Sequence, residues 1–216
     1  MFDKSIILCT LLVTCVLSSL PACADTIPYV GVIAGSPFAL VTRLSDSRSS
    51  LDMESNPGYM AGLTAGVTCD SWFGWNIEKI RTEAEVSYRS SKLVRASNAV
   101  GRSVDVSSTV TVTNFMVNGY LENSKDMPVT LFLTAGAGAA MASIGALSYQ
   151  DATLVPSASN TQFAYQGGVG IGYELTSNIM LDTTYKYFAT TPFTFAGIKA
   201  DYGSHTILLG ARYQFK

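Results

Sequence analysis

The stretch HTILLGARYQFK, from His205 to Lys216, alternates residue by residue. Ile207, Leu209, Ala211, Tyr213 and Phe215 fall on one side of an extended chain and Thr206, Gly210, Arg212 and Gln214 on the other, because successive side chains of a strand point to opposite faces. The period recurs upstream. In IRTEAEVSYR, Ile80, Thr82, Ala84, Val86 and Tyr88 alternate with Arg81, Glu83, Glu85, Ser87 and Arg89, so every charge lies on one face. IMLDTTYKYF sets Ile179, Leu181, Thr183, Tyr185 and Tyr187 against Met180, Asp182, Thr184 and Lys186. Further up, Phe163, Tyr165, Val169, Ile171 and Tyr173 oppose Gln162, Gln166, Gly168, Gly170, Gly172 and Glu174.

Alternation and its breaks predict eight strands, at 27–37, 58–69, 77–89, 108–122, 129–143, 161–175, 179–190 and 203–215. No convincing helix interrupts them: the segment from Leu131 to Ile144 carries Gly136 and Gly138 and overlaps a strand-favouring VTLFLT that starts at Val129. The strands exceed the ~5–6 residues usual in soluble sheets and match tilted membrane strands. Short links, DSWFGWN, NSKDM and TSN, alternate with long ones at 38–57, 90–107, 144–160 and 191–202. An even strand count with this alternation predicts an all-β fold, an eight-stranded antiparallel up-and-down transmembrane β-barrel.

Composition narrows the chemistry. The 216 residues are 48% hydrophobic and 14% charged, with net charge −2, which gives no case for nucleic acid. One histidine and no clustered cysteines argue against a zinc, haem or iron–sulfur site, so no cofactor is expected. Residues 1–24 read as a cleaved secretory signal, with Lys4, an apolar run from Ile6 to Leu20, and Ala22 and Ala24 at an A-x-A site. Pro21 ends that run short of the ~20 residues that span a bilayer. LPAC, Leu20 to Cys23, carries a competing reading in which Cys23 is acylated. Residues 25–216 are then one barrel domain, and Cys69 is its sole cysteine.

Which face is inside is a separate question. A soluble lipocalin-type barrel would put its large apolar residues inward; a membrane barrel puts them against lipid and fills the lumen with the polar set. The export signal and strand lengths favour the membrane. So do Trp72, Phe73 and Trp75 in the first short turn, with Tyr213 and Phe215 at the chain end, where an interfacial girdle belongs.

RTEAEVSYR (81–89), NFMVNGYLE (114–122), FAYQGGVGIGYEL (163–175), IMLDTTYKYF (179–188) and HTILLGARYQF (205–215) together resemble the opacity-type outer-membrane surface antigens, small barrels related in architecture to the OmpA membrane domain. The resemblance implies an outer-membrane, non-enzymatic surface protein with roles in adhesion, antigen display or envelope structure. It also implies insertion by the barrel-assembly machinery, whose terminal aromatic signal is here Phe215 followed by Lys216. Expected partners are outer-membrane lipids, lipopolysaccharide and a host or surface receptor. A narrow porin-like channel and a lipid-modifying enzyme stand as alternatives.

By facing, the lumen holds Arg81, Arg89, Lys186 and Arg212 against Glu83, Glu85, Glu122, Glu174 and Asp182. Near-balanced charge in so narrow a space predicts a paired plug, since isolated buried charges are unfavourable. A hairpin symmetric about Gly197 would set Asp182 opposite Arg212 and Lys186 opposite Leu208. A tight turn near Ser177 would set Gly172 and Gly168 opposite Asp182 and Lys186. Ser204 and His205 are adjacent on a strand, face opposite ways and cannot act as a simple nucleophile and base pair. Arg43, Arg48, Lys92, Arg95 and Arg102 lie in the long connections as candidate contacts to acidic surfaces.

Overall fold

The computed structural model describes residues 26–46, 49–70, 77–98, 103–123, 129–145, 147–149, 152–155, 158–195 and 198–216. Residues 1–24, read as a signal, and Trp72, Phe73 and Trp75 lie outside them. Within them the alternating stretches are all strands: β1 (Thr26–Asp46), β2 (Ser49–Ser55), β3 (Tyr59–Asp70), β4 (Lys79–Asn98), β5 (Ser103–Asn123), β6 (Val129–Ile144), β7 (Leu147–Tyr149), β8 (Ala152–Val155), β9 (Ala158–Glu174), β10 (Ile179–Thr190), β11 (Phe193–Phe195) and β12 (Ile198–Gln214).

Eight of these close a ring. Antiparallel pairing runs β1–β12–β10–β9–β6–β5–β4–β3 and back to β1. One row of paired residues leaves β1 at Phe38, passes through His205, Tyr187, Gly167, Ala135, Gly119, Thr82 and Val67, and returns to β1 at Pro28, ten residues away. That stagger tilts every strand and narrows the interior to what side chains can fill. The chain ends are tied into the ring by Gln214 N–H donating to Asn178 O at 2.8 Å and Phe215 N–H to Pro28 O at 2.9 Å.

The strands outrun the alternation that predicted them. Much of what reads as long loop is hairpin: β1 and β12 stay paired to Ser45–Lys199, and β4 and β5 to Ser97–Ser103. There β2 takes the place of β3, between β1 and β4. Above the membrane both faces of a strand meet water, so a polarity pattern cannot mark where such a strand stops.

The facing of the strands is as the parity implies. Leu63, Leu133, Phe163, Ile171, Leu209 and Phe215 all stand more than half exposed on the outside, whereas Arg81, Glu85 and Arg89 are 1–2% exposed inside. The wall from β6 to β9 is thinned by glycine where large inner groups cross. A Cβ on Gly170 would sit 2.3 Å from Phe132 Cζ, and one on Gly168 would sit 2.3 Å from Tyr185 O and 3.0 Å from Lys186 Cγ.

If the outer face meets lipid, Leu181→Arg and Ile171→Arg should each lower stability by about 2–4 kcal/mol near the midplane and less toward the interfaces. Thr184→Arg, pointing inward, should act through lumen crowding instead. Urea titration in lipid vesicles checks this; unchanged midpoints for both lipid-face variants would reverse the facing.

Candidate functional site: the filled lumen and its loop end

Each inner charge is delivered by strand parity, and most find partners on other strands. Arg81 of β4 is caged by aromatic rings, its guanidinium carbon 3.4 Å from the Tyr120 ring centre and 5.5 and 5.6 Å from those of Tyr29 and Phe132. Its Nε donates to Glu122 Oε1 at 2.6 Å and its Nη1 to Glu83 Oε2 at 3.0 Å. Glu83 also accepts from the hydroxyls of Tyr29 and Tyr120, each at 2.7 Å. Charge-assisted bonds combined with cation–π contact let a guanidinium sit 2% exposed.

The network continues up the lumen. Asn118 Nδ2 donates to Glu83 Oε1 at 3.3 Å and to Glu85 Oε2 at 2.9 Å, bridging the two carboxylates. Glu85 also receives Lys186 Nζ at 2.9 Å, Gln166 Nε2 at 3.0 Å and Ser87 Oγ at 2.9 Å. Toward the short-turn end, Arg212 grips Asp182 with two nitrogens, Nε at 2.6 Å and Nη2 at 3.0 Å, and its Nη1 lies 3.6 Å from Glu122. A cavity of about 20 Å³ among Thr64, Arg81, Glu83, Asp182, Lys186 and Arg212 has room for about one water.

Two expectations need correction. Asp182 and Arg212 do meet, but diagonally: the register sets Asp182 against Gly210, Met180 against Arg212 and Lys186 against Thr206, two residues from the symmetric hairpin. Long side chains bridge that offset. On the other flank Asp182 does face Gly172 and Lys186 does face Gly168. Glu174 does not join the lumen group; at the end of β9 its side chain is 47% exposed and meets Lys216 Nζ at 3.2 Å, because parity loses its meaning once the strand leaves the wall.

Above the charges lies a layer that charge-seeking reading passes over. Val110, Val112, Met116, Ala140, Ala142, Ala164, Phe188 and Tyr202 form one buried apolar cluster inside the barrel, with Met60 and Leu208 also buried. Parity was a usable signal, since Phe188 shares a face with Lys186 and Tyr120 shares one with Asn118 and Glu122. Arg89 enters this layer, its guanidinium carbon 4.0 Å from the Phe188 ring centre and its Nη1 donating to Ser204 Oγ at 3.1 Å. Its Nε and Nη2 have no hydrogen-bond partner among the described residues. Ser204 is buried, while His205 points outward beside Tyr185.

The five basic candidates of the long connections are less concentrated. Lys92 is exposed on β4. Backbone register sets Arg43 beside Asp52 and Asp201, and Arg95 beside Glu54 and Asp105, so the extended sheet interleaves both signs. Arg48 and Arg102 lie outside the described residues.

A closed eight-stranded ring with an apolar exterior and an ionised, filled interior defines an outer-membrane β-barrel. The chain matches the outer membrane protein beta-barrel domain family over residues 7–215 and belongs to it. It is a protein of the bacterial outer membrane. It is 35% identical over 89 residues to the outer membrane protein PagN of Salmonella typhimurium, a match covering 39% of this chain and 36% of that protein's length. Similar solved structures include Neisserial surface protein A, with TM-score 0.52, 18% identity and coverage of 87% of this chain and 97% of that one. OprG of Pseudomonas aeruginosa is also similar, with TM-score 0.54, 10% identity and 89% and 97% coverage. At such identities these two structures speak for the fold alone.

The Asp182–Arg212 pair is open to a double-mutant cycle. Arg212→Ala strands Asp182 and should lower stability by about 3–5 kcal/mol, the usual range for breaking a buried pair. Asp182→Ala should cost less, because Arg212 keeps Glu122 within reach. The double variant should lose less than the sum. Additive losses in urea unfolding would remove the pair.

Proposed function

We propose that this chain is a non-enzymatic outer-membrane surface protein, a sealed barrel that holds long hairpins outside the cell for adhesion or antigen display. The observation that carries this reading is the filling of the lumen: among the described residues, a connected charge network at one level and an apolar layer at the next enclose a cavity of water size. Elaboration is instead concentrated at one end, where β1, β2, β4, β5 and β12 continue beyond the closed ring. The similarity to the outer membrane protein PagN supports a place in the outer membrane, from which such hairpins can be displayed.

The opposite facing of Ser204 and His205 supports a non-enzymatic reading, because a nucleophile and its base must share a face. Lipopolysaccharide and acidic host glycans are the anionic partners that the exposed Lys92 and the basic positions of the hairpins would meet. Since acids stand beside Arg43 and Arg95 in the register, such contacts would be weak and sensitive to salt.

Topology, seal and binding are each testable. Single cysteines replacing Ser49, Ser97 or Ser157 in a Cys69→Ser background should react with an impermeant reagent on intact cells. Those replacing Ser71 or Ser124 should react only after the outer membrane is opened. Planar bilayers should show absent or brief, small conductance; a steady, large conductance would promote the channel. Cells displaying the protein should attach to host-cell surfaces more than cells whose β4–β5 hairpin is cut back to the Ser91–Val110 pair, and equal attachment would refute hairpin-mediated adhesion.

A further inference from the structure

The outer wall carries a group of rings that closure of the barrel does not require. Going up β12 from the chain end, the outward residues are Tyr213, Ala211, Leu209, Ile207 and His205. The eight steps from Tyr213 to His205, at ~3.3 Å each on a strand tilted ~35–45°, rise about 20 Å. His205 therefore stands near the loop-side edge of an apolar band ~25 Å tall, at the level of the lipid headgroups. It is the sole histidine of the chain.

Three rings from the two neighbouring strands converge on it. Tyr187 of β10 and Phe38 of β1 flank His205 in the register. Ring centres lie 5.0 Å away for Tyr187, 5.8 Å for Tyr185 and 6.2 Å for Phe38, with Tyr185 stacked at 26°. The Tyr185 hydroxyl is 2.6 Å from His205 Nδ1. One step loop-ward, a Cβ on Gly203 would come 3.2 Å from the Tyr187 hydroxyl, so the glycine lets that phenol lie along the wall.

The chemistry of this group is specific. With the Tyr185 hydroxyl donating to Nδ1, the imidazole carries its proton on Nε2, which is then free to donate outward. A girdle of single tyrosines suffices to place a barrel in a bilayer. Three rings around one imidazole add a broad flat surface beside a hydrogen-bond donor.

We propose that Phe38, Tyr185, Tyr187 and His205 form a docking site for the phosphorylated sugar headgroup of an outer-leaflet glycolipid. The C–H face of the sugar packs on the rings, and His205 Nε2 donates to a phosphate oxygen. A phospholipid supplies the phosphate but not the flat sugar face. The proposal rests on the loop-outward topology argued above.

The single histidine makes an unambiguous probe. The full chain, with its histidine labelled with ¹⁵N, is placed in phosphatidylcholine nanodiscs supplemented with lipopolysaccharide, with dephosphorylated lipopolysaccharide or with phosphatidylglycerol. The Nε2 resonance should shift with lipopolysaccharide and stay in place with the other two. No shift, or an equal shift with phosphatidylglycerol, would overturn the site. In native mass spectrometry, His205→Phe keeps a ring and loses the donor, so retained lipopolysaccharide should fall at least about fivefold, the equivalent of one hydrogen bond. Tyr187→Leu should reduce it as well, with heat-modifiable gel mobility reporting that both variants are folded. Unchanged retention in both would also overturn the proposal. Nanodiscs present the same lipid on both faces, so this outcome is read independently of the cysteine labelling that tests topology.

Discussion

Hydrocarbon offers no partner to a backbone N–H or C=O, and every other feature of this molecule follows from that constraint. A sheet in lipid must close so that no edge remains, and closing with eight strands and a ten-residue stagger leaves an interior only as wide as its own side chains. The apolar face is then committed to the outside, and the alternating residues are forced together in the lumen. Polar groups there cannot rely on bulk water. They must find one another, which is why Glu83 takes bonds from Tyr29, Arg81, Asn118 and Tyr120, four residues on three strands.

Such a filled interior demands volume matching as well as charge matching. Large side chains fill the lumen, and the β6–β9 wall makes room by carrying glycine, where a Cβ at 136, 138, 168, 170 or 172 would meet Asn118, Met116, Lys186, Phe132 or Asp182. Polar satisfaction is uneven. Arg81 and Lys186 reach carboxylates, whereas Arg89 relies on one hydroxyl and the face of Phe188. A cation tolerated on those terms is held by packing, within the apolar cluster around it.

Much of this was legible in the chain. Parity alone placed Arg81, Glu83, Glu85, Arg89, Lys186 and Arg212 inside, and a tight turn at Ser177 fixed the β9–β10 register, with Gly172 against Asp182. The β10–β12 register was not legible, because a long connection containing β11 need not be symmetric and two residues of offset leave parity intact. Glu174 was misread for the opposite reason: its parity is inward, but parity has meaning only where there is a wall. The inner aromatics Tyr29, Tyr120, Phe132 and Phe188 were overlooked because a polar lumen was sought. Rings belong there too, as surfaces against which guanidinium groups pack.

The division between a sealed shaft and an elaborated end bears on what the protein can do. Network members that share partners do not vary independently; changing Glu122 would disturb both Arg81 and Arg212. The backbone bonds of the extended hairpins are made strand to strand, beyond the eight-stranded ring. A scaffold with its coupled network in the shaft and its hairpins extended at one end is suited to presentation. The outer wall stands between these two regimes: free of the lumen's coupling, yet held at a fixed height by the tilt, which is where a ring cluster such as that around His205 is positioned to meet a lipid headgroup.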